Sequence, residues 1–301
     1  MLHNDKTTFQ QLILRIFDDT GIAPGIIEKD YYVTLFLQRI AERVPNIIFK
    51  GGTSLSKCYR IIDRFSEDID LNIDTETKPT EGQRKKLKET IVSVVDEYGF
   101  ILSNSDDVRS RRDYNRYIID YPTVFPANYL KEYLIVETAV YIKAYPCKRM
   151  TATSMIYDYL LKHGYNGLIE QYGLHPFELN VQTAERTLVD KLFALCDYYL
   201  ADAVHEHSRH IYDIYKLLGI VELNESIKQL VQEVCQERKP HKNCRSAQDD
   251  MNRSCLLREI IDRNIYREDY HNVTEKLLFE PVSYDVAISA LQKILDSDIF
   301  Q

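Results

Sequence analysis

The chain contains no tryptophan and no run of about 18 apolar residues, and its cysteines never fall in the paired C-x-x-C spacing. Without such a run there is no candidate helical membrane span, and Met1-Leu2-His3-Asn4-Asp5-Lys6 lacks the basic and apolar regions of a signal peptide, so a cytoplasmic protein without a membrane partner is expected. The six cysteines are scattered, which fits reduced thiols better than a disulfide framework. Cys235, His241, Cys244 and Cys255 lie near one another but lack the spacing of a zinc site. A net charge of −8 excludes a generally basic surface that grips nucleic acid everywhere, and leaves room only for a local basic groove. No internal repeat or low-complexity tract is visible. The 22 tyrosines can stack on bases, yet most fall at amphipathic spacings that suit half-buried positions.

What is present is enough apolar material, 45% of 301 residues, for one large core or two modest ones. Leu12, Ile13, Ile16 and Phe17 recur at helical spacing, and a second helix follows Pro24-Gly25 through Ile26, Ile27, Tyr31, Leu35 and Ile40. Asn46 to Lys50 is a short strand ending at Gly51-Gly52. The helix after it is expected to bury Leu55, Cys58, Tyr59 and Ile62 and to leave Ser54 and Lys57 facing outward. Asp68 to Asp74 alternates polar and apolar as a half-buried strand does, with Ile69, Leu71 and Ile73 inward. Thr75 to Gly82 reads as a polar loop and Gln83 to Tyr98 as a helix, with strands near Tyr117-Ile118-Ile119 and Tyr133 to Tyr141. From Gln182 onward the pattern is almost wholly helical. The expected fold is α+β: a mixed sheet flanked by helices over residues 1–165, then a mainly helical lobe over 166–301.

Two features carry chemistry. Gly51 and Gly52 allow backbone N–H groups to approach phosphate oxygens at a helix start, beside the hydroxyls of Thr53 and Ser54. The spacing is not that of a Walker P-loop, because Lys57 is neither preceded by glycine nor followed by Ser or Thr. Asp68 and Asp70 project from one side of a strand and repel each other unless a cation lies between them; Mg²⁺ held by carboxylates and substrate phosphates relieves that repulsion. Taken alone, D-x-D is also the pattern of a solvated strand face.

Strand, glycine turn, helix and D-x-D strand together resemble the nucleotidyltransferase superfamily that includes DNA polymerase β. Glu28-Lys29-Asp30-Tyr31-Tyr32-Val33, Lys50-Gly51-Gly52-Thr53-Ser54-Leu55-Ser56-Lys57 and Arg64-Phe65-Ser66-Glu67-Asp68-Ile69-Asp70-Leu71 resemble, more closely, the AbiEii/AbiGii toxin family. The likeness continues in Glu185 to Leu192 and in Ser208 to Tyr215. His210 departs from it, standing where the family usually has an aspartate, while Asp213 is kept.

This resemblance implies transfer of a nucleoside monophosphate from an NTP to an acceptor hydroxyl, with Mg²⁺ or Mn²⁺ held by Asp68, Asp70 and a third carboxylate. Glu137 is the candidate third ligand and Asp120 the reserve; an acid inside so apolar a run is costly to bury unpaired, although a Glu at a sheet edge reaching solvent has the same pattern. By the same resemblance Gly51, Gly52, Thr53, Ser54 and Lys57 hold phosphates, Lys191 reaches the triphosphate from the helical lobe, and Asp213 orients Lys191 or a base. Read without the family, Lys191 is a snorkelling surface lysine. The implied acceptor is RNA, tRNA first, in a toxin paired with a cognate antitoxin. Arg109, Arg111, Arg112 and Arg116, interleaved with Tyr114 and Tyr117, read equally as a nucleic-acid contact or a solvated strand face. The alternatives are a small-molecule nucleotidyltransferase of the antibiotic-modifying kind and a non-catalytic nucleotide-binding module.

Overall fold

Residues 1–75, 78–126 and 131–301 are described in a computed structural model of the chain, so Glu76 and Thr77 of the expected polar loop lie outside the described residues. The chain divides into two units, Met1–Tyr59 with Ser66–Val181 and Arg60–Phe65 with Gln182–Gln301. The division cuts the Arg64 to Leu71 motif: Arg64 and Phe65 belong to the second unit, Ser66 onward to the first.

In the first unit, α1 (Lys6–Thr20) is capped by the Asp5 carboxylate and α2 (Pro24–Arg43) starts on a proline, whose missing N–H has no intrahelical partner there in any case. Leu12, Ile13 and Ile16 are buried as their spacing requires, but Phe17 points outward. Then come β1 (Ile47–Lys50), the short helix α3 (Gly51–Ser54) with a π-wound continuation over Leu55–Tyr59, and β2 (Ile69–Ile73). The helix α4 (Glu81–Glu97) opens on a capping box between Thr80 and Gln83. After it run β3 (Ile101–Leu102), β4 (Tyr114–Asp120), β5 (Tyr133–Ala139), β6 (Cys147–Ala152), α5 (Met155–Lys162), α6 (Asn166–Tyr172) and β7 (Phe177–Gln182).

The seven strands form one sheet in the order β3-β4-β5-β2-β1-β7-β6. β1 is antiparallel to β2 and parallel to β7; β2 is parallel to β5, and β5 antiparallel to β4. Strand alternation sends Phe49, Leu71, Val136 and Tyr117 into one core with Tyr32 and Phe36 of α2 and Ile91 of α4. The opposite face therefore carries Lys50, Asp70, Glu137 and Arg116.

The second unit is helical: α7 (Ala184–Leu200), α8 (Arg209–Leu217), α9 (Glu225–Arg238), α10 (Arg253–Asp262), the short turns α11 (Arg267–Asp269) and α12 (Glu275–Leu277), and α13 (Tyr284–Asp296). Its interior is built from Leu188, Leu192, Phe193, Ile211, Ile214, Leu257, Leu291 and Ile294. Thr183, Asn224, Asn252 and Ser283 cap α7, α9, α10 and α13 with their side chains. Among the described residues no helix is long and apolar enough to cross a membrane.

Candidate active site

Sheet register brings four charges into one row across four strands. Lys50 of β1 faces Asp70 of β2, Asp70 faces Glu137 of β5, and Glu137 faces Arg116 of β4. Directly opposed residues share a face and stand about 5 Å apart at Cβ, so the row reads plus, minus, minus, plus. Asp68 lies just before β2 and is half-buried, as Asp70 is.

Gly51 explains how the turn and the D-x-D strand come so close. It has φ +75°, and a Cβ there would fall 2.0 Å from Asp70 Oδ2, so both the backbone conformation and the Asp70 carboxylate require glycine. Thr53 is buried and its hydroxyl lies 3.0 Å from that of Ser66, which joins the turn to the lead-in of the D-x-D strand.

Lys57 and Ser54 do not face outward as their spacing predicts. Lys57 is buried, with Nζ donating to Asp30 Oδ1 at 2.6 Å and to Thr34 Oγ1 at 2.5 Å, and the Ser54 hydroxyl donates to the Gly51 carbonyl at 2.8 Å. For Lys57 the π winding of Leu55–Tyr59 shifts the angular step per residue away from a wheel drawn at 3.6 residues per turn, while Ser54, one residue earlier, turns its hydroxyl back onto the Gly51 carbonyl.

The Glu28-Lys29-Asp30 motif is buried as well. Glu28 accepts from the Thr123 hydroxyl and from the N–H groups of Val124 and Phe125. Lys29 pairs with Glu67, next to Asp68, and donates to the Lys131 carbonyl. Asp30 binds Lys57 and accepts from the Met155 N–H at 2.7 Å, at the start of α5. Burial pushes the Glu28 carboxyl up despite its three donors, and pushes the Lys29 ammonium down despite Glu67. These residues hold the glycine turn and the D-x-D lead-in from below.

Glu137 is 29% exposed, with Arg116 Nε 3.7 Å from its Oε1. Tyr114 lies two residues before Arg116 on β4, and burial together with the Glu137 charge pushes its phenol up. Asp120, the reserve acid, pairs with Tyr133 at the start of β5, away from the carboxylate row. The arginines disperse: Arg109 and Arg112 bind the carbonyls of Val108 and Asp107, and Arg111 pairs with Glu81. Tyr117 belongs to the core, so it offers no stacking face; Tyr114, 43% exposed, does.

Lys191 and Asp213 lie in the second unit. Asp213 is fully buried, takes both oxygens to Arg64 at 2.7 Å, and accepts from Lys191 Nζ at 2.6 Å. Burial alone pushes the Asp213 carboxyl up, but Arg64 and Lys191 outweigh it and hold it well below the usual range. Lys191 is pushed down by burial, against the pull of Asp213. Arg64, to which sequence reasoning gave no role, is the main partner of Asp213; its buried charge requires one. His210 lies 3.5 Å from Lys191 Nζ and is parallel to the rings of Tyr198 and His207.

Among the described residues no group of three or more Asp, Glu, His or Cys side chains is gathered closely enough to hold a metal ion by itself. Asp68, Asp70 and Glu137 offer hard oxygen donors, and Mg²⁺ characteristically takes one or two carboxylates and completes its shell with water and substrate phosphates. An open site of this kind fits the residues present.

A family model described as nucleotidyl transferase AbiEii toxin, type IV TA system, matches residues 35–296. A solved structure, the crystal structure of JHP933 from Helicobacter pylori, is similar at 15% identity over 90% of each chain, with a TM-score of 0.44. No curated protein matches the chain.

Proposed function

Because the chain belongs to the AbiEii family of nucleotidyl transferase toxins of type IV TA systems, we infer that its sheet face transfers a nucleoside monophosphate from an NTP to an acceptor hydroxyl, releasing pyrophosphate. The observation that carries this reading is the register that sets Asp70 beside Glu137 and against the Gly51 turn. The turn presents backbone N–H groups without a side chain in the way, as β- and γ-phosphates require. Asp68, Asp70 and Glu137 are the residues that would hold Mg²⁺, which when bound neutralises phosphate charge and lowers the pKa of an oxygen nucleophile. Glu137, beside Arg116, would receive the proton of the acceptor hydroxyl. Phosphoryl chemistry depends mainly on positioning and charge neutralisation, so few other reactive groups are needed.

RNA, with tRNA first, is the acceptor class we favour: Tyr114 offers a ring beside Arg116 on the strand next to Glu137, a pairing that suits base stacking and phosphate contact. A cognate antitoxin follows from the family. The test is to incubate the protein with total RNA, Mg²⁺ and each labelled NTP in turn. Label should enter RNA and fall by at least about 100-fold in Asp70→Asn. Label entering a low-molecular-weight product would instead identify a small-molecule transferase, and incorporation unaffected by Asp70→Asn would remove the site from consideration.

A further inference from the structure

Three lysines are candidates for the donor phosphates, and two of them already have anions. Lys57 is bound to Asp30 and Lys191 to Asp213. Lys50 differs. It is half-buried on the same sheet face as the carboxylate row, it immediately precedes Gly51, and its ammonium takes no hydrogen bond or ion pair among the described residues.

Lys50 stands opposite Asp70 across the strand pair with no hydrogen-bonded anion among the described residues, so its charge is left for a ligand to engage. The position suits an incoming anion. A phosphate chain cradled by the N–H groups of the Gly51 turn lies within one residue of Lys50, on the side opposite Glu137 and Arg116. We propose that Lys50 is the lysine that binds the β- and γ-phosphates of the donor nucleotide. The assignment rests on the nucleotidyltransferase reading of this face and gives Lys50 a role that the family resemblance had given to Lys57. In this role Lys50 acts as a point charge on a strand end, and substrate phosphates supply the counter-ion it lacks.

The test uses inorganic tripolyphosphate, which carries the charge shared by all NTPs, in EDTA so that no metal contributes. Binding by isothermal titration should weaken at least about tenfold in Lys50→Met and stay within about threefold in Lys50→Arg, the scale of one hydrogen bond to a charged group. The unfolding midpoint should not fall, because Lys50 has no partner to lose. The loss in Lys50→Met must persist in an Asp70→Asn background, since a lysine that only screens Asp70 has no effect once that charge is gone. Binding unchanged in Lys50→Met, a loss that vanishes in the Asp70→Asn background, or no binding by the wild-type protein each overturns the proposal. Nucleotide incorporation is scored separately. If the wild type incorporates label and Lys50→Met keeps full tripolyphosphate affinity, the lysine assignment fails alone; if Lys50→Met loses affinity and the wild type incorporates nothing, the reaction fails and the anion site stands.

Discussion

Replacing Asp213 with Asn tests whether the charge cluster of the second unit is a structural keystone. The wild-type carboxylate is fully buried and compensates two cations, Arg64 through two bonds of 2.7 Å and Lys191 through one of 2.6 Å. Asn preserves the shape and one acceptor but removes the charge, which leaves a guanidinium and an ammonium confronting each other out of water. Breaking a buried pair by removing one partner costs roughly 3–5 kcal/mol, and here two cations lose the same partner, so the upper half of that range is expected. With a urea m-value of about 2 kcal/mol/M, the midpoint should fall by about 2 M. The assay is urea unfolding followed at 222 nm, where the helices of this unit dominate; tryptophan emission offers nothing in a chain without tryptophan. The pH dependence supplies a second check. The folded pKa of Asp213 lies below the ordinary 3.8 of an aspartate, so its stabilisation is complete above that value and fades as pH falls through the lower, folded one. The gap between wild type and Asp213→Asn should therefore be flat from pH 8 to about 5 and close only in strong acid. A loss below about 1 kcal/mol at pH 7 would refute the reasoning, and if incorporation activity nevertheless collapsed, Lys191 and Asp213 would be acting in catalysis rather than in folding.

Three further substitutions address the first unit and the histidines. Gly51→Ala should abolish incorporation as Asp70→Asn does, while Gly21→Ala, at φ +73° with nothing within 4 Å, should show only the backbone strain of about 1–2 kcal/mol that both variants share; equal activity in the two would show that Asp70 does not need the space. In the second unit, burial and the Arg209 charge push the His207 imidazole down to about 4, and burial with the Lys191 and Arg209 charges pushes His210 well below its ordinary value. Between pH 6.5 and about 4 the unfolded chain binds protons that the folded one refuses, so stability should decline on acidification by up to about 1.4 kcal/mol per pH unit for each histidine. His210→Gln should flatten this slope, and an unchanged slope would show that His210 titrates freely in the folded chain.

The strands that carry the chemistry were legible because alternation survives in short apolar runs: Asn46 to Lys50, Asp68 to Asp74 and Tyr133 to Tyr141 all coincide with observed strands. β6 and β7 were not read. Cys147–Ala152 is half polar, an edge strand that buries only Ala152 fully, and Phe177–Gln182 pairs with β1 through partners remote in sequence. The Gly51 turn and the D-x-D pair could be found by local spacing, but their mutual contact could not, because it depends on antiparallel register. The facing of Lys57 follows a π turn that no residue type announces, and that of Ser54 a local bond to the Gly51 carbonyl. Lys50 stood in plain sight: Ile47 and Phe49 face the core, so alternation alone places Lys50 with Asp70 on the other face.

The first turns of α2 place Glu28, Lys29 and Asp30 about 100° apart, each bound to a different segment of the same unit. Fraying of such a helix start cannot proceed one contact at a time, because any opening that frees Asp30 also strands Lys57, and any that frees Lys29 strands Glu67. In amide hydrogen exchange the N–H groups of this segment should therefore open only with the whole unit, with the protection of a central strand and not of a helix end. The glycine turn and the D-x-D strand inherit that reluctance, so the carboxylate face rests on a part of its unit that is slow to breathe.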